Sequence, residues 1–324
     1  MMRGMRRLAT LMAVVALAVM GWRALAERPG PPYEGRIDRP LFAADGPAVL
    51  IDDAHWNAGI SAGRLQALTG LLAAEGFVVL PSGNATRAEM LVDARLAVIV
   101  NPLGVLGLAR RVADRVGLGE AAFFDDDGLL TQEIETTLQW IENGGSLLFA
   151  VDEAPLARGS RGLATRLGLK LHERLTLDVG HSDGADPAQL VFSRENGLFG
   201  AHPIVDGWPD APPVNRVVTF RGQAIEAAPG DAVLLRLSAS AAEVARAGDP
   251  PTSGRPAGGL AQAVALERGR GRVVVIGDSD VLSADDRAGG TPTGLAWAGT
   301  NNERFVRYIL RWLSRKDDRV GTSR

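Results

Sequence analysis

Nine side chains able to do chemistry follow short apolar runs in this sequence. Asp52, Asp53, His55 and Asn57 come after Ala48–Ile51, Asn101 after Leu96–Val100, Asp152 and Glu153 after Ser146–Val151, and Asp278 and Ser279 after Arg272–Ile276. A histidine among carboxylates can move protons, and crowded carboxylates raise one another's pKa, which suits general acid–base work. The same crowding is relieved by a hard divalent cation or by donors such as Asn57, Asn101 and Ser279. Taken singly, each residue is as readily a strand terminator or a loop cap. Their recurrence at four strand ends favours a ligand site.

Other chemistry is excluded. The chain has no cysteine, hence no disulfide, no thiolate metal site and no thiol nucleophile. His172, His181 and His202 have no zinc-motif spacing. Gly277-Asp278-Ser279 looks like the nucleophile block of GDSL-type esterases, but no histidine follows His202 to serve it. Asp125-Asp126-Asp127-Gly128 lacks the alternating ligands of a calcium loop, and its twelfth position is Thr136. No cofactor motif is present, so none is predicted beyond the option of a divalent cation.

The elements that must carry these residues alternate. After the run at Ala48, Ser61 begins a helical stretch with Leu65, Leu68, Leu71 and Leu72 on one face, ended by Gly76. Phe77–Leu80 reads as a strand, and Thr86 with Glu89 as a capping box before the strand at Leu96. A helix is expected around Leu108–Val116. Another, capped by Thr131, carries Ile134, Leu138 and Ile141 and closes at Gly144-Gly145. This spacing predicts a doubly wound, mainly parallel sheet, with ligands outside the carboxyl ends of its strands. Residues 168–260 lose the helical period; Arg216–Phe220 and Ala232–Leu237 are β-prone and Gly248–Gly259 reads as a flexible loop, so a β-rich insertion at the sheet edge is expected. Thr300 and Glu303 form a second capping box, before a final helix with Phe305, Val306, Ile309, Leu310, Trp312 and Leu313 on one face.

Several blocks carry a resemblance: Ile51–Asn57 (IDDAHWN), Trp140–Pro155 (WIENGGSLLFAVDEAP), the Gly197-x-x-x-x-His202-Pro203-Ile204 core of Asn196–Phe220, Gly271–Asp280 and Thr300–Leu313. Together they resemble the class I glutamine-amidotransferase-like superfamily, in its exported branch related to auxiliary domains of gliding-motility-type ABC transporters. Intraflagellar transport proteins belong to the same wider set. The resemblance implies a flavodoxin-like sheet with its pocket on the rim named above. It also implies an elbow near Asp152–Ala154, where active members carry a cysteine, and a late His-Glu pair. Here the elbow has no cysteine and the late strand ends in Gly277-Asp278-Ser279, so amidotransferase chemistry is not expected. The resemblance singles out Asp52 or Asp53, His55 and Asn57.

The ends of the chain bear on where it works. Residues 1–26 read as a secretory signal peptide: Arg3, Arg6 and Arg7, an apolar run from Leu8 to Trp22, then Ala24-Leu25-Ala26 for cleavage. Fifteen helical residues rise about 22 Å, short of a hydrocarbon core of about 30 Å. The alternative is an uncleaved N-terminal anchor facing outward, the one route to membrane association. Residues 27–47 form an extended, proline-rich lead-in, 48–314 the α/β domain, and 315–324 a polar tail. Without the four leader arginines, 31 basic side chains stand against 38 acidic ones, a balance of about −7 that repels nucleic acid. The expected setting is periplasmic or extracellular, and the expected partner a small molecule or an envelope or transport protein. The leading reading is a non-catalytic binding or scaffold domain. The alternative is a hydrolase of carbohydrate or peptide-like material using His55 and the strand-end carboxylates.

Overall fold

The computed structural model describes Gly35 and residues 37–43, 45–55, 57, 65–80, 88–103, 128–246, 248–284, 286–287 and 291–316. The expected signal peptide, Ser61, Thr86, the helix expected around Leu108–Val116, Asp125–Asp127 and residues 317–324 of the tail lie outside the described residues.

Five parallel strands build the part of the sheet that carries the site. They are β1 (Ala48–Ile51), β2 (Val78–Leu80), β3 (Leu96–Val100), β4 (Ser146–Ala150) and the late β13 (Gly271–Ile276), in the order β2-β1-β3-β4-β13. The chain is therefore α/β and flavodoxin-like, with the sequence order reversing between β1 and β3. β3 and β4 are buried at every position, so they read as continuous apolar runs rather than as alternation.

Alternate residues of these strands feed two separate cores. Val49, Val98, Leu148 and Val274 face α1 (Gln66–Ala74), through Leu68, Leu71 and Leu72, and the last helix, α6 (Asn302–Leu313), through Phe305, Ile309 and Leu313. Leu50, Ile99, Phe149 and Val273 face the opposite side with α2 (Ala88–Asp93), α3 (Thr131–Glu142) and α4 (Arg161–Arg166). Helices thus cover both faces, and each strand is locked in register by two cores at once.

The β-rich region extends the sheet with antiparallel pairs. β12 (Ala261–Arg268) pairs with β13, β8 (Gln223–Glu226) and β9 (Ala232–Arg236), and β5 (Lys170–Leu177) joins β8 to β10 (Ala242–Val244) and β11 (Arg255–Pro256). The expected loop at Gly248–Gly259 thus includes the edge strand β11 and a short 3₁₀ turn at Pro251–Ser253. Two helix starts differ from expectation. Thr131 is the first helical residue of α3, and Glu133 accepts the Leu130 N–H at 2.8 Å. α6 is preceded by Asn301, whose side-chain oxygen takes the Asn215 N–H at 2.8 Å, while the Thr300 hydroxyl donates to the Trp297 carbonyl.

The described part of the lead-in is strapped to the domain. Glu75, fully buried after α1, accepts the Leu41 N–H on Oε2 at 2.7 Å and is bonded by the Arg307 guanidinium on Oε1. Phe42 packs edge-on against Phe77, with ring centroids 5.1 Å apart. Glu75→Gln keeps the shape but removes the charge, and its expected cost is about 1–3 kcal/mol in urea unfolding. Unchanged stability would mean that the pair only breaks even against its desolvation.

Candidate functional site

Asp52, Asn101, Asp152 and Asp278 all stand at the carboxyl end of the parallel strands, because β1, β3, β4 and β13 run the same way. Hydrogen bonding divides them into two connected networks. At the β1/β3 reversal, His55 Nδ1 lies 2.9 Å from each oxygen of the Asp52 carboxylate, and Nε2 lies 3.1 Å from Glu133 Oε2. Asn57 Nδ2 donates both to Asp52 Oδ2 at 3.0 Å and to the Val100 carbonyl at 2.9 Å, so it staples β1 to β3. Its Oδ1 accepts the His55 N–H at 3.1 Å, and the His55 carbonyl accepts the Leu103 N–H at 2.9 Å.

Burial by itself would lower the pKa of His55. The hydrogen bond and charge of Asp52, with the charge of Glu133, outweigh it and raise the ring above its ordinary value. His55 thus stands between two carboxylates that hold its pKa up, with Asp52 at 1% exposure and His55 at 6%.

The second network lies at β4 and β13. Asp152 accepts the Ser279 N–H at 2.5 Å, the Ser279 hydroxyl at 2.7 Å and Asn101 Nδ2 at 2.6 Å. Its own N–H donates to Asn101 Oδ1 at 2.8 Å. Asp278 accepts the Asp280 N–H at 2.9 Å and the Phe220 N–H. Gln223, at the start of β8, donates to the Asp152 carbonyl at 2.6 Å and to the Val151 carbonyl at 3.2 Å. The insertion therefore folds over this part of the rim, and the buried acids are among its anchors.

Burial raises Asp152 and raises Asp278 far more, with the charge of Asp280 adding to both. Burial, then the neighbouring Asp152 charge, pushes Glu153 up to about 7. Glu153, Asp280 and Arg221 are partly exposed, and Asp53 is exposed. Asp53 is thus the one exposed residue of the nine. Sequence reasoning missed Glu133, Gln223 and Arg221. Glu133 had a signal, being three residues after the start of an apolar helical period, where a carboxylate reaches back toward the chain end.

The remaining histidines hold structure. His202 accepts the Ile204 N–H at 3.2 Å at the start of α5 (Pro203–Asp206), and burial lowers it to about 4. His172 Nδ1 lies 2.9 Å from the Glu243 carboxylate. Among the described residues no group of three or more His, Asp or Glu side chains is arranged to hold a metal ion.

No protein-family model and no curated protein matches the chain. Solved structures do. The mmIFT52 N-terminal domain is 12% identical, with 82% of this chain and 97% of that one covered at a TM-score of 0.55. A putative ThuA-like protein from Bacteroides uniformis is 13% identical over 88% of this chain and 95% of its own, at 0.41. A cold-adapted β-galactosidase from Rahnella sp. R3 is 11% identical over 84% of this chain but only 31% of its own, at 0.40. The likeness to the first of these is one of fold. The structural neighbours include ThuA-like proteins, which have the class I glutamine-amidotransferase-like fold.

Proposed function

We propose that this chain is an exported, non-catalytic binding domain that takes a small ligand at its acidic rim and serves a transport or envelope system outside the cytoplasmic membrane. One observation carries the non-catalytic part: both nitrogens of His55 are occupied by carboxylates, so the ring offers neither a free lone pair nor a free N–H. Ser279 Oγ is likewise committed to Asp152. As they stand, these bonds engage both groups with neighbours inside the fold. The resemblance to the exported branch of the amidotransferase-like superfamily supports the class of partner, and the signal-like residues 1–26 support the compartment.

A second reading rests on Glu153. A partly exposed carboxyl with a pKa of about 7 suits a general acid or base, which would make the chain a hydrolase of carbohydrate or peptide-like material. The two readings part in one experiment. The protein is purified from the exported fraction, its mass is expected to begin at Glu27, and glycoside and peptide-like substrates are assayed beside Glu153→Gln. No turnover by either form supports the binding domain. Turnover abolished by Glu153→Gln selects the hydrolase, and a mass retaining residues 1–26 establishes the anchor.

A further inference from the structure

The backbone and ring of His55 tie three elements together. Its carbonyl accepts the Leu103 N–H at 2.9 Å just after β3, and its own N–H donates to Asn57 at 3.1 Å. The ring stands between Asp52, at the end of β1, and Glu133, in the first turn of α3. Glu133 Oε2 has two neighbours of its own, His55 Nε2 at 3.1 Å and the Leu130 N–H at 2.8 Å. One carboxylate oxygen therefore holds the start of α3 to itself and to the β1/β3 crevice. Leu130, 66% exposed, has no polar side chain with which to cap the helix instead.

A protonated ring offers an N–H to each carboxylate. A neutral imidazole has one N–H and one lone pair, so one carboxylate must then face the lone pair. The two carboxylates are not equivalent. Asp52 is at 1% exposure and lies 2.9 Å from Nδ1 on both oxygens, with nowhere to turn. The Glu133 side chain is 15% exposed and sits at a helix start, where it can turn to water. The last proton therefore stays on Nδ1, and the Nε2 lone pair is left against Glu133. These two acids are the charged groups that face the ring from the described elements. Asn57 and Leu103, which meet its backbone, are uncharged, and Asp53 is exposed.

We propose that His55 is a pH-sensitive latch on α3: protonated, it holds the first turn of the helix against the β1/β3 crevice, and neutral, it lets that turn go. Because Asp52 and Glu133 raise the pKa of the ring, the latch is closed below the ordinary histidine value and opens as pH rises through the folded value. The device needs no ligand, so it stands apart from the binding reading.

Amide hydrogen exchange of the purified protein, followed by NMR at pH 6 and pH 9, tests this. It is read as protection factors, which remove the intrinsic pH dependence of exchange. At pH 9 the Leu130 and Ile134 N–H groups, bonded to Glu133 and to the Leu130 carbonyl, are expected to lose about tenfold or more of their protection. The Leu103 N–H on the His55 carbonyl and the Asp52 N–H on the Val98 carbonyl should keep theirs. In Glu133→Gln the amide has a donor for the lone pair and an acceptor for the Leu130 N–H, so protection should no longer change with pH. The ring nitrogen shifts of the wild type should place the remaining proton on Nδ1 at pH 9. No loss in the wild type, an equal loss in Glu133→Gln, or a loss shared by Leu103 and Asp52 would each overturn the proposal. So would a proton on Nε2 at pH 9.

Discussion

His55→Ala is expected to lower the unfolding free energy by about 3–5 kcal/mol at pH 6, the usual result of removing one member of a buried ion pair. Asp52, at 1% exposure, would keep only Asn57 Nδ2 at 3.0 Å and the Ala54 N–H at 3.3 Å for a full negative charge. Glu133 would lose its His55 bond, though it would retain the Leu130 N–H. The effect depends on pH in a direction set by the raised pKa of the ring. The folded protein holds this proton more tightly than the unfolded chain does, so the stabilisation is complete below the ordinary histidine value. It fades as pH rises through the folded value. Urea unfolding of wild type and variant at pH 6 and pH 9 measures this, and the gap should narrow at the higher pH. An equal gap at both would mean that folding leaves the pKa of the ring unshifted, and a gap that widens would mean a ring buried neutral, with a nitrogen that reopens the proton-transfer reading of His55. The double variant Asp52→Asn, His55→Ala should recover part of the loss, since the stranded charge is then gone.

The parallel half of the domain was legible because its strands are buried on both faces and spell apolar runs between helix signals. Leu96–Val100 and Ser146–Ala150 differ by at most one residue from the runs visible in the sequence. The strand-end positions followed from the same pattern, since parallel strands put their carboxyl ends on one side. β12 was hidden for the opposite reason. Its sequence AQAVALER favours a helix residue by residue, and only the Gly269-Arg270 connection to β13, with Gly269 at φ 55°, marks a hairpin. Pairing on both sides then overrides the propensity. Glu133 and Gln223 were hidden by distance, 78 residues from His55 and 71 from Asp152, because a crossover topology brings together what local pattern keeps apart.

The other large effect is expected in the pH dependence of the whole domain, and it comes from the β4/β13 network. Asp152, Asp278 and Glu153 all have raised pKa values, Glu153 to about 7, with burial the leading cause and the neighbouring acids the next. An unfolded chain has released these protons by about pH 5, whereas the folded rim retains some of them. Stability is therefore greatest below the ordinary carboxylate range and falls as pH climbs, by about 1.4 kcal/mol per pH unit for each group still holding its extra proton. For Glu153 the fall extends from its unfolded value to about 7. The usual acid denaturation of surface carboxylates runs the other way. His55 adds to the decline in the neutral range, so the rim's share must be isolated by substitution. Asp280 is the residue to change, because its charge raises Asp152, Asp278 and Glu153 together while its own side chain is only partly buried. Asp280→Asn is expected to flatten the decline between pH 5 and pH 8 and to raise the melting temperature at pH 8 more than at pH 5. His55→Ala should leave that portion of the profile in place. A variant with an unaltered slope would show that the three carboxyls are ionised in the folded state throughout. Their crowding would then have to be met by hydrogen-bond donors such as Ser279, Asn101 and the Phe220 and Asp280 N–H groups.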